Sequence, residues 1–327
     1  MSLTPRFGLI LPNRDVAMGL AEPADLLALA EYAEASGAFS HVWVGDSLIA
    51  KPRLESLTLL AAIAARTSAL RLGVACMASL PSRDPLLLAY QWASLDRLSG
   101  GRLILQACIG DTPDTPGGRA EYANTDILPG ERGDRLEENL HIMRRLWAEP
   151  SVTFQGRFHA YDGARVEPKP AQAPPPVWIA SRPRSLDRAP KDAERSLRRV
   201  ARLGDGWVTT AKSASDFALF RERIHGYAAE YGRDFAPLPH CHYYAIAIGA
   251  DREAALEQTK AYMDRYYGVD HSRAYIEAST ALGSPAHCRD AIAAYADAGA
   301  TDVLLRFPPI ETRTQIDRFV HEALPLF

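Results

Sequence analysis

"DPLLLAYQWASLDRLSGGRLILQACIG", residues 84–110, holds the reading on which the fold turns. Apolar residues at helical spacing run up to Leu98, Ser-Gly-Gly stops them, and a leucine- and isoleucine-rich run follows at once. A helix that ends directly in an apolar strand is the junction from which α/β folds with parallel sheets are built. The run closes on Cys108, which raises the question of what a thiol does at the tip of a buried strand.

The same grammar extends in both directions. Upstream, "RFGLILP" (6–12), "SHVWVGDS" (40–47) and "LRLGVACMA" (70–78) read as strands with helical stretches between them. Downstream come "PPVWIAS" (175–181), "DGWVTT" (205–210), "HCHYYAIAIG" (240–249) and "TDVLLRF" (301–307). With residues 102–110 these make eight strands, each followed by a helix, which predicts an α/β fold of the TIM (β/α)8 barrel type in one domain over 1–327. An open doubly wound sheet requires a G-x-G-x-x-G turn after an early strand, and "GLILPNRD" has none. Residues 151–165 read as a hairpin ornament. The Gly- and Pro-rich stretch 110–130, after strand four, reads as a lid or substrate wall.

Composition narrows the function. Hydrophobic residues make up 47% and charged residues 24%, as in ordinary globular proteins, and the net charge of −3 gives no basic field for nucleic acid or an anionic membrane. No run reaches the ~20 apolar residues of a membrane span, and the N-terminus lacks the apolar core of a signal peptide. The four cysteines form no C-x-x-C pair, which argues against a zinc site or a disulfide framework and for a reducing, cytoplasmic setting. The nine histidines form no metal set: His240 and His242 fall at the N-terminal end of their strand, the stability face of a barrel. Catalysis in such barrels belongs to the C-terminal strand ends. These are Asn13 and Arg14, Asp46 and Ser47, Cys76 to Ser79, Cys108 and Asp111, Ser181 and Arg182, Thr209 and Thr210, and Arg306 and Phe307.

Several segments, in order along nearly the whole chain, resemble the bacterial luciferase-like flavin-dependent oxidoreductases: "HVWVGDSL", "LTLLAAIAARTSALRLGV", "DPLLLAYQWASLDRLSGGRLIL", "ERGDRLEENLHIMRRLW", "RLGDGWV" and "LGSPAHCRDAIAAYADAGATDVLLRF". The resemblance implies a barrel mouth that binds a flavin or a deazaflavin. One camp of the family takes reduced FMN from a separate flavin reductase and activates oxygen. The other uses coenzyme F420 for hydride transfer. This chain departs from the common pattern at Asp46-Ser47 (Asp-His in many relatives), at Gln106-Ala107-Cys108 (Gly-x-Gly), at Ala180-Ser181 (Gly-Gly) and at Gly133 (an aromatic).

The resulting expectation is an oxidoreductase. Its leading form is a two-component monooxygenase using reduced FMN and oxygen on a small, fairly apolar organic substrate. F420-dependent hydride transfer and a non-catalytic flavin-binding protein are the alternatives, and the family suggests a homo-oligomer. Asp46 and Ser47 are expected to hydrogen-bond at the ring edge, with a structural role holding the loop "LIAKPR" as the alternative for Asp46, and Cys108 to pack against the ring as a neutral thiol; these three are the candidate catalytic residues. Cys108 reads equally as a small buried hydrophobe. Cys76, Met77 and Ala78 lie where relatives have a bulge supporting the ring, with a plain strand as the alternative. Ser181, Arg182 and Ser185 follow strand five, where relatives hold the cofactor phosphate; Arg182 also reads as a surface ion-pair residue.

Overall fold

A computed structural model describes residues 4–183, 190–308 and 312–327. Its strands are β1 (Arg6–Leu11), β2 (His41–Val44), β3 (Arg71–Met77), β4 (Leu103–Ala107), β5 (Val152–Gln155), β6 (Ala160–Ala164), β7 (Val177–Ala180), β8 (Gly206–Thr209), β9 (His240–Ile248), β10 (Thr280–Gly283) and β11 (Asp302–Arg306). The order β9-β11-β1-β2-β3-β4-β7-β8 closes through a β8–β9 pairing, and every pairing around the ring is parallel. The result is an eight-stranded closed barrel with helices outside it. β5 and β6 form the expected antiparallel hairpin apart from the barrel.

The stretch that announced the fold also stitches it. Asp84 caps the helix Pro85–Leu98 by accepting from Leu87 N at 2.8 Å, and Pro85 occupies its first turn. The helix stops where Gly100 and Gly101 take φ of +69° and +80°, values that residues with a Cβ rarely adopt. Arg102 then donates to the carbonyls of Ala64 and Thr67, both at 2.9 Å, and so satisfies the orphan end of the helix Ser56–Arg66. Asp96, wholly buried, accepts from Gln172 N and Nε2, both at 2.8 Å, and ties the chain entering β7.

Two packed layers follow. Ile10, Trp43, Ile104, Trp178, Val208, Cys241 and Leu304 fill the barrel interior, while a larger apolar layer joins the strands to the helices. Gly73 makes room for the interior layer, since a Cβ there would lie 2.2 Å from the Trp43 ring. His240 and His242 belong to the outer layer: His242 stacks on Tyr295 at 3.7 Å, and burial pushes its pKa down to about 3. One strand escaped the sequence reading. β10 pairs with Ala245–Ile248 of β9 just beyond the point where β9 leaves β11. Its four residues, Thr-Ala-Leu-Gly, are too short and too mixed to announce a strand.

Candidate functional site at the barrel mouth

A cavity of about 340 Å³ opens at the C-terminal ends of the strands. Its floor is made of small groups: Ala75, Ala78, Ala180, Gly110 and the paired sulfurs of Cys76 and Cys108. That pairing corrects the sequence reading, which left all four cysteines free and gave Cys108 a neutral thiol. The cause is local. The register between β3 and β4 shifts between Val74 and Met77, and the bulge turns Cys76 toward Cys108 with the two Cα atoms 5.9 Å apart. The Ala75–Cys76 peptide is cis. Met77, expected beside the cofactor, instead packs wholly buried in the outer apolar layer. Two polar atoms at the cavity, Gln106 Oε1 and Thr209 Oγ1, are buried without a partner.

Asp46 and Ser47 both line the cavity, but their hydrogen bonds run inward to the protein. Asp46 Oδ2 accepts from Ser79 N at 2.8 Å and Ser79 Oγ at 2.7 Å, and Oδ1 accepts from Ser56 Oγ at 2.9 Å and Arg83 Nη2 at 3.2 Å. Its carboxylate therefore ties the turn after β3 to the helix Ser56–Arg66. Ser47 Oγ accepts from Lys51 N at 2.9 Å and donates to Glu121 at 3.4 Å. Glu121 lies on the helix Pro116–Ala123, within the expected lid, and its Oε2 also accepts from Ile49 N at 3.0 Å and Ala50 N at 2.9 Å. An ion pair between Lys51 and Asp111 closes the same seam. The lid is thus clamped onto the loop after β2.

On the other side of the mouth, Ser181 Oγ donates to Ser196 Oγ at 3.0 Å, and the exposed Arg182 borders both the main cavity and a second one of about 410 Å³. Ser185 lies outside the described residues. Among the described residues, Arg132, Arg182, Arg195 and Arg199 line the second cavity together with one carboxylate, Asp192. Arg195 and Arg199 are also paired with Asp134 and Glu137. Gly133 explains itself here, because a Cβ at that position would lie 2.4 Å from Arg199 Nη2. The aromatic of many relatives is exchanged for room to lay a guanidinium. Burial, and then repulsion from Arg182, push Lys212 down to about 8.

A third group was only half visible in the sequence. The strand-end rule picked out Arg14 and Arg306. It passed over Tyr243, within β9, and Tyr262, Tyr266 and Tyr267, on the helix Arg252–Tyr267. Arg306 lies 3.7 Å from the centre of the Tyr266 ring and donates to Tyr262 Oη and Tyr267 Oη, each at 3.1 Å. Tyr243, Tyr266 and Tyr267 all line the mouth. The sequence signal was the run Tyr262–Tyr267, three tyrosines within six positions of a helix that follows a barrel strand.

A closed parallel barrel whose open end gathers a small-residue floor, unpaired acceptors and an arginine-lined annex defines a cofactor-binding α/β-barrel enzyme. The profile of the luciferase-like monooxygenases matches residues 5–302, and the chain belongs to that family. It is an oxidoreductase of luciferase-like type. It is 28% identical over 320 residues to an F420-dependent hydroxymycolic acid dehydrogenase of Mycobacterium tuberculosis, covering 92% of this chain and 83% of the relative. Among solved structures it superposes on an F420-dependent secondary alcohol dehydrogenase with TM-score 0.81 at 18% identity, over 97% of this chain and 98% of the other. A monooxygenase from Streptomyces bottropensis gives 0.82 at 23%, over 98% and 99%. At those identities the two structures speak for the fold. Among the described residues, no helix is long and apolar enough to cross a membrane.

Proposed function

We propose that this protein is a coenzyme F420-dependent oxidoreductase that moves hydride between the deazaflavin and an alcohol–carbonyl substrate pair. The observation that carries the reading is the arginine-lined second cavity, which shares Arg182 with the mouth. A flavin mononucleotide ends at its phosphate, whereas F420 continues into an acidic tail, and a track of four guanidiniums suits the longer anion. The F420 dependence of the Mycobacterium tuberculosis relative supports the same order. The sequence alone had ranked reduced FMN and a reductase first.

The residues present fit such a group. The floor of Ala75, Ala78 and Ala180 leaves space for a planar ring, and Gln106 Oε1 and Thr209 Oγ1 offer acceptors that nothing in the protein uses. Ser181 and Arg182, on the rim of the same cavity, would hold the phosphate end. When bound, the deazaflavin accepts or returns a hydride. The chain supplies the rest: the lid clamped by Glu121 excludes water, and Asp46 holds the rim turn rigid.

The test is an anaerobic fluorescence titration with F420 and, separately, with FMN in both oxidation states. F420 is expected to bind more tightly than FMN, and admitting oxygen to the reduced complex should cause no rapid oxygen uptake. Arg182→Ala should weaken F420 about tenfold, as loss of one charge-assisted contact worth ~1.5 kcal/mol predicts. Tight binding of reduced FMN with oxygen consumption would return the monooxygenase reading to first place.

A further inference from the structure

Among the described residues, the guanidiniums gathered at one side of the mouth outnumber the carboxylates bonded to them. Arg306, Arg14 and Arg53 stand 3.7, 4.9 and 5.9 Å from the centre of the Tyr266 ring, arriving respectively from the end of β11, the turn after β1 and the loop after β2. Arg53 reaches this place because residue 45 is glycine: a Cβ there would lie 1.9 Å from Arg53 Nη1. Arg14 Nε and Nη1 are buried without a partner. Among the described residues, the carboxylate bonded into this cluster is Asp15, whose Oδ1 accepts from Tyr262 Oη at 3.0 Å while Oδ2 has no partner. Burial raises the Asp15 pKa, and the hydrogen bond from Tyr262 and the nearby guanidiniums oppose that. Around the cluster Tyr243, Tyr262 and Tyr267 present phenols, and Lys51, paired with Asp111, lies 5.8 Å from the centre of the Tyr267 ring.

Three guanidiniums around one ring are electrostatically tolerable when an anion sits among them. Tyr266, 8% exposed and opening on the cavity, is placed to be that anion. We propose that Tyr266, with Arg306, Arg53 and Arg14 gathered about its ring to favour the ionised phenol, is the proton acceptor for the substrate hydroxyl. The proposal rests on the hydride-transfer reading above.

Electrons and atoms balance as follows. The substrate C–H bond breaks with its electron pair going to the deazaflavin as hydride, and the O–H proton passes to Tyr266 Oη. The carbon–oxygen bond becomes a carbonyl, so the carbon is oxidised and the cofactor reduced by two electrons. In the reverse direction Tyr266 returns the proton. A base suits this work when its pKa lies near the working pH. Burial opposes ionisation of Tyr266, but Arg306, Arg53 and Arg14 outweigh it and bring the pKa below the ordinary tyrosine value. Tyr243 and Tyr262 are pushed the other way by burial.

The first experiment uses the protein without cofactor: absorbance at the tyrosinate band near 295 nm, followed against pH. The wild type should show one tyrosine titrating ahead of the rest, and Tyr266→Phe should remove that component. Arg306→Met should move it to higher pH. With F420, Tyr266→Phe should bind the cofactor as the wild type does yet transfer hydride about 10²–10⁴-fold more slowly, the usual range for a lost general base. It should also lose the acid limb of the rate profile, where protonation of Tyr266 slows the wild type. A titration in which Tyr266→Phe and wild type coincide, or a variant with full rate and an unchanged pH profile, overturns the proposal. If F420 does not bind the wild type, the function proposed above falls, while the 295 nm titration still decides whether Tyr266 is the ionised phenol.

Discussion

Strand β11 carries a charged residue at each end, and their surroundings are opposites. At the bottom of the barrel, Asp302 accepts from Arg6 Nε and Nη2 at 2.9 and 2.8 Å, from Thr301 Oγ1 at 2.7 Å, and shares a 3.0 Å hydrogen bond with His41. Its charge is answered in full. Four residues on, Arg306 faces tyrosines and stands with two further guanidiniums beside the same ring. One strand therefore shows a closed polar network used for stability and an open one available for chemistry. The space follows the charge: Trp43 and Trp178 fill the lower interior with ring centres 5.3 Å apart, while alanines and a glycine leave the mouth hollow.

The bottom should break hardest. Asp302→Ala is expected to cost roughly 3 kcal/mol in urea unfolding, the low end for a broken buried pair because Arg6 keeps water on its outer side. The same carboxylate sets an acid limit. Burial pushes its pKa up, but hydrogen bonds from His41 and Arg6 prevail and bring it down to about 2. An unfolded Asp titrates near ~3.9, so this group's contribution is whole above about pH 4 and is lost as pH falls toward 2. The variant should show a flatter acid limb than the wild type. An equal acid dependence would mean that other carboxylates carry it.

This contrast also explains what the sequence disclosed. The eight barrel strands and the hairpin were legible because buried parallel strands are short apolar runs, and a sheet of them alternates with helices. Strand-end logic reached Arg14, Arg306, Asp46 and Arg182, since it needs only the barrel. It could not reach Tyr266, which enters the mouth from a helix after β9 and not from a strand tip. The Cys76–Cys108 pair was hidden because it depends on a bulge between Val74 and Met77 that brings together residues 32 positions apart. Gly45 and Gly133 were visible as letters, but their meaning lay in the arginines laid across them.

A single methyl group should separate the two halves next. In Gly73→Ala the added carbon meets Trp43, which cannot yield because its Nε1 donates to His41 Nδ1 at 3.0 Å and its ring lies against Trp178. Overpacking of this kind costs about 1–3 kcal/mol, read as a lower urea midpoint with an unchanged slope. Ala180→Val puts similar bulk into the hollow mouth. Its stability should stay within about 0.5 kcal/mol, while cofactor binding weakens. If Ala180→Val proved the more destabilising of the two, the division into a filled bottom and an open mouth would be wrong.

The gentlest test falls on the lid. Glu121 holds it through one oxygen that accepts from Ile49 N, Ala50 N and Ser47 Oγ. Gly117 allows the close approach, since a Cβ there would lie 2.3 Å from the Ala50 carbonyl oxygen. Glu121→Gln keeps an acceptor of the same shape and removes only the charge, so the hydrogen bonds drop from charge-assisted to neutral. That difference is about 1 kcal/mol, which shifts an opening equilibrium about fivefold. Hydrogen exchange at the amides of Ile49 and Ala50 should quicken by that factor, while exchange in β1 and β11 stays fixed. Unchanged exchange at both amides would show that the Lys51–Asp111 pair, and not Glu121, keeps the mouth covered.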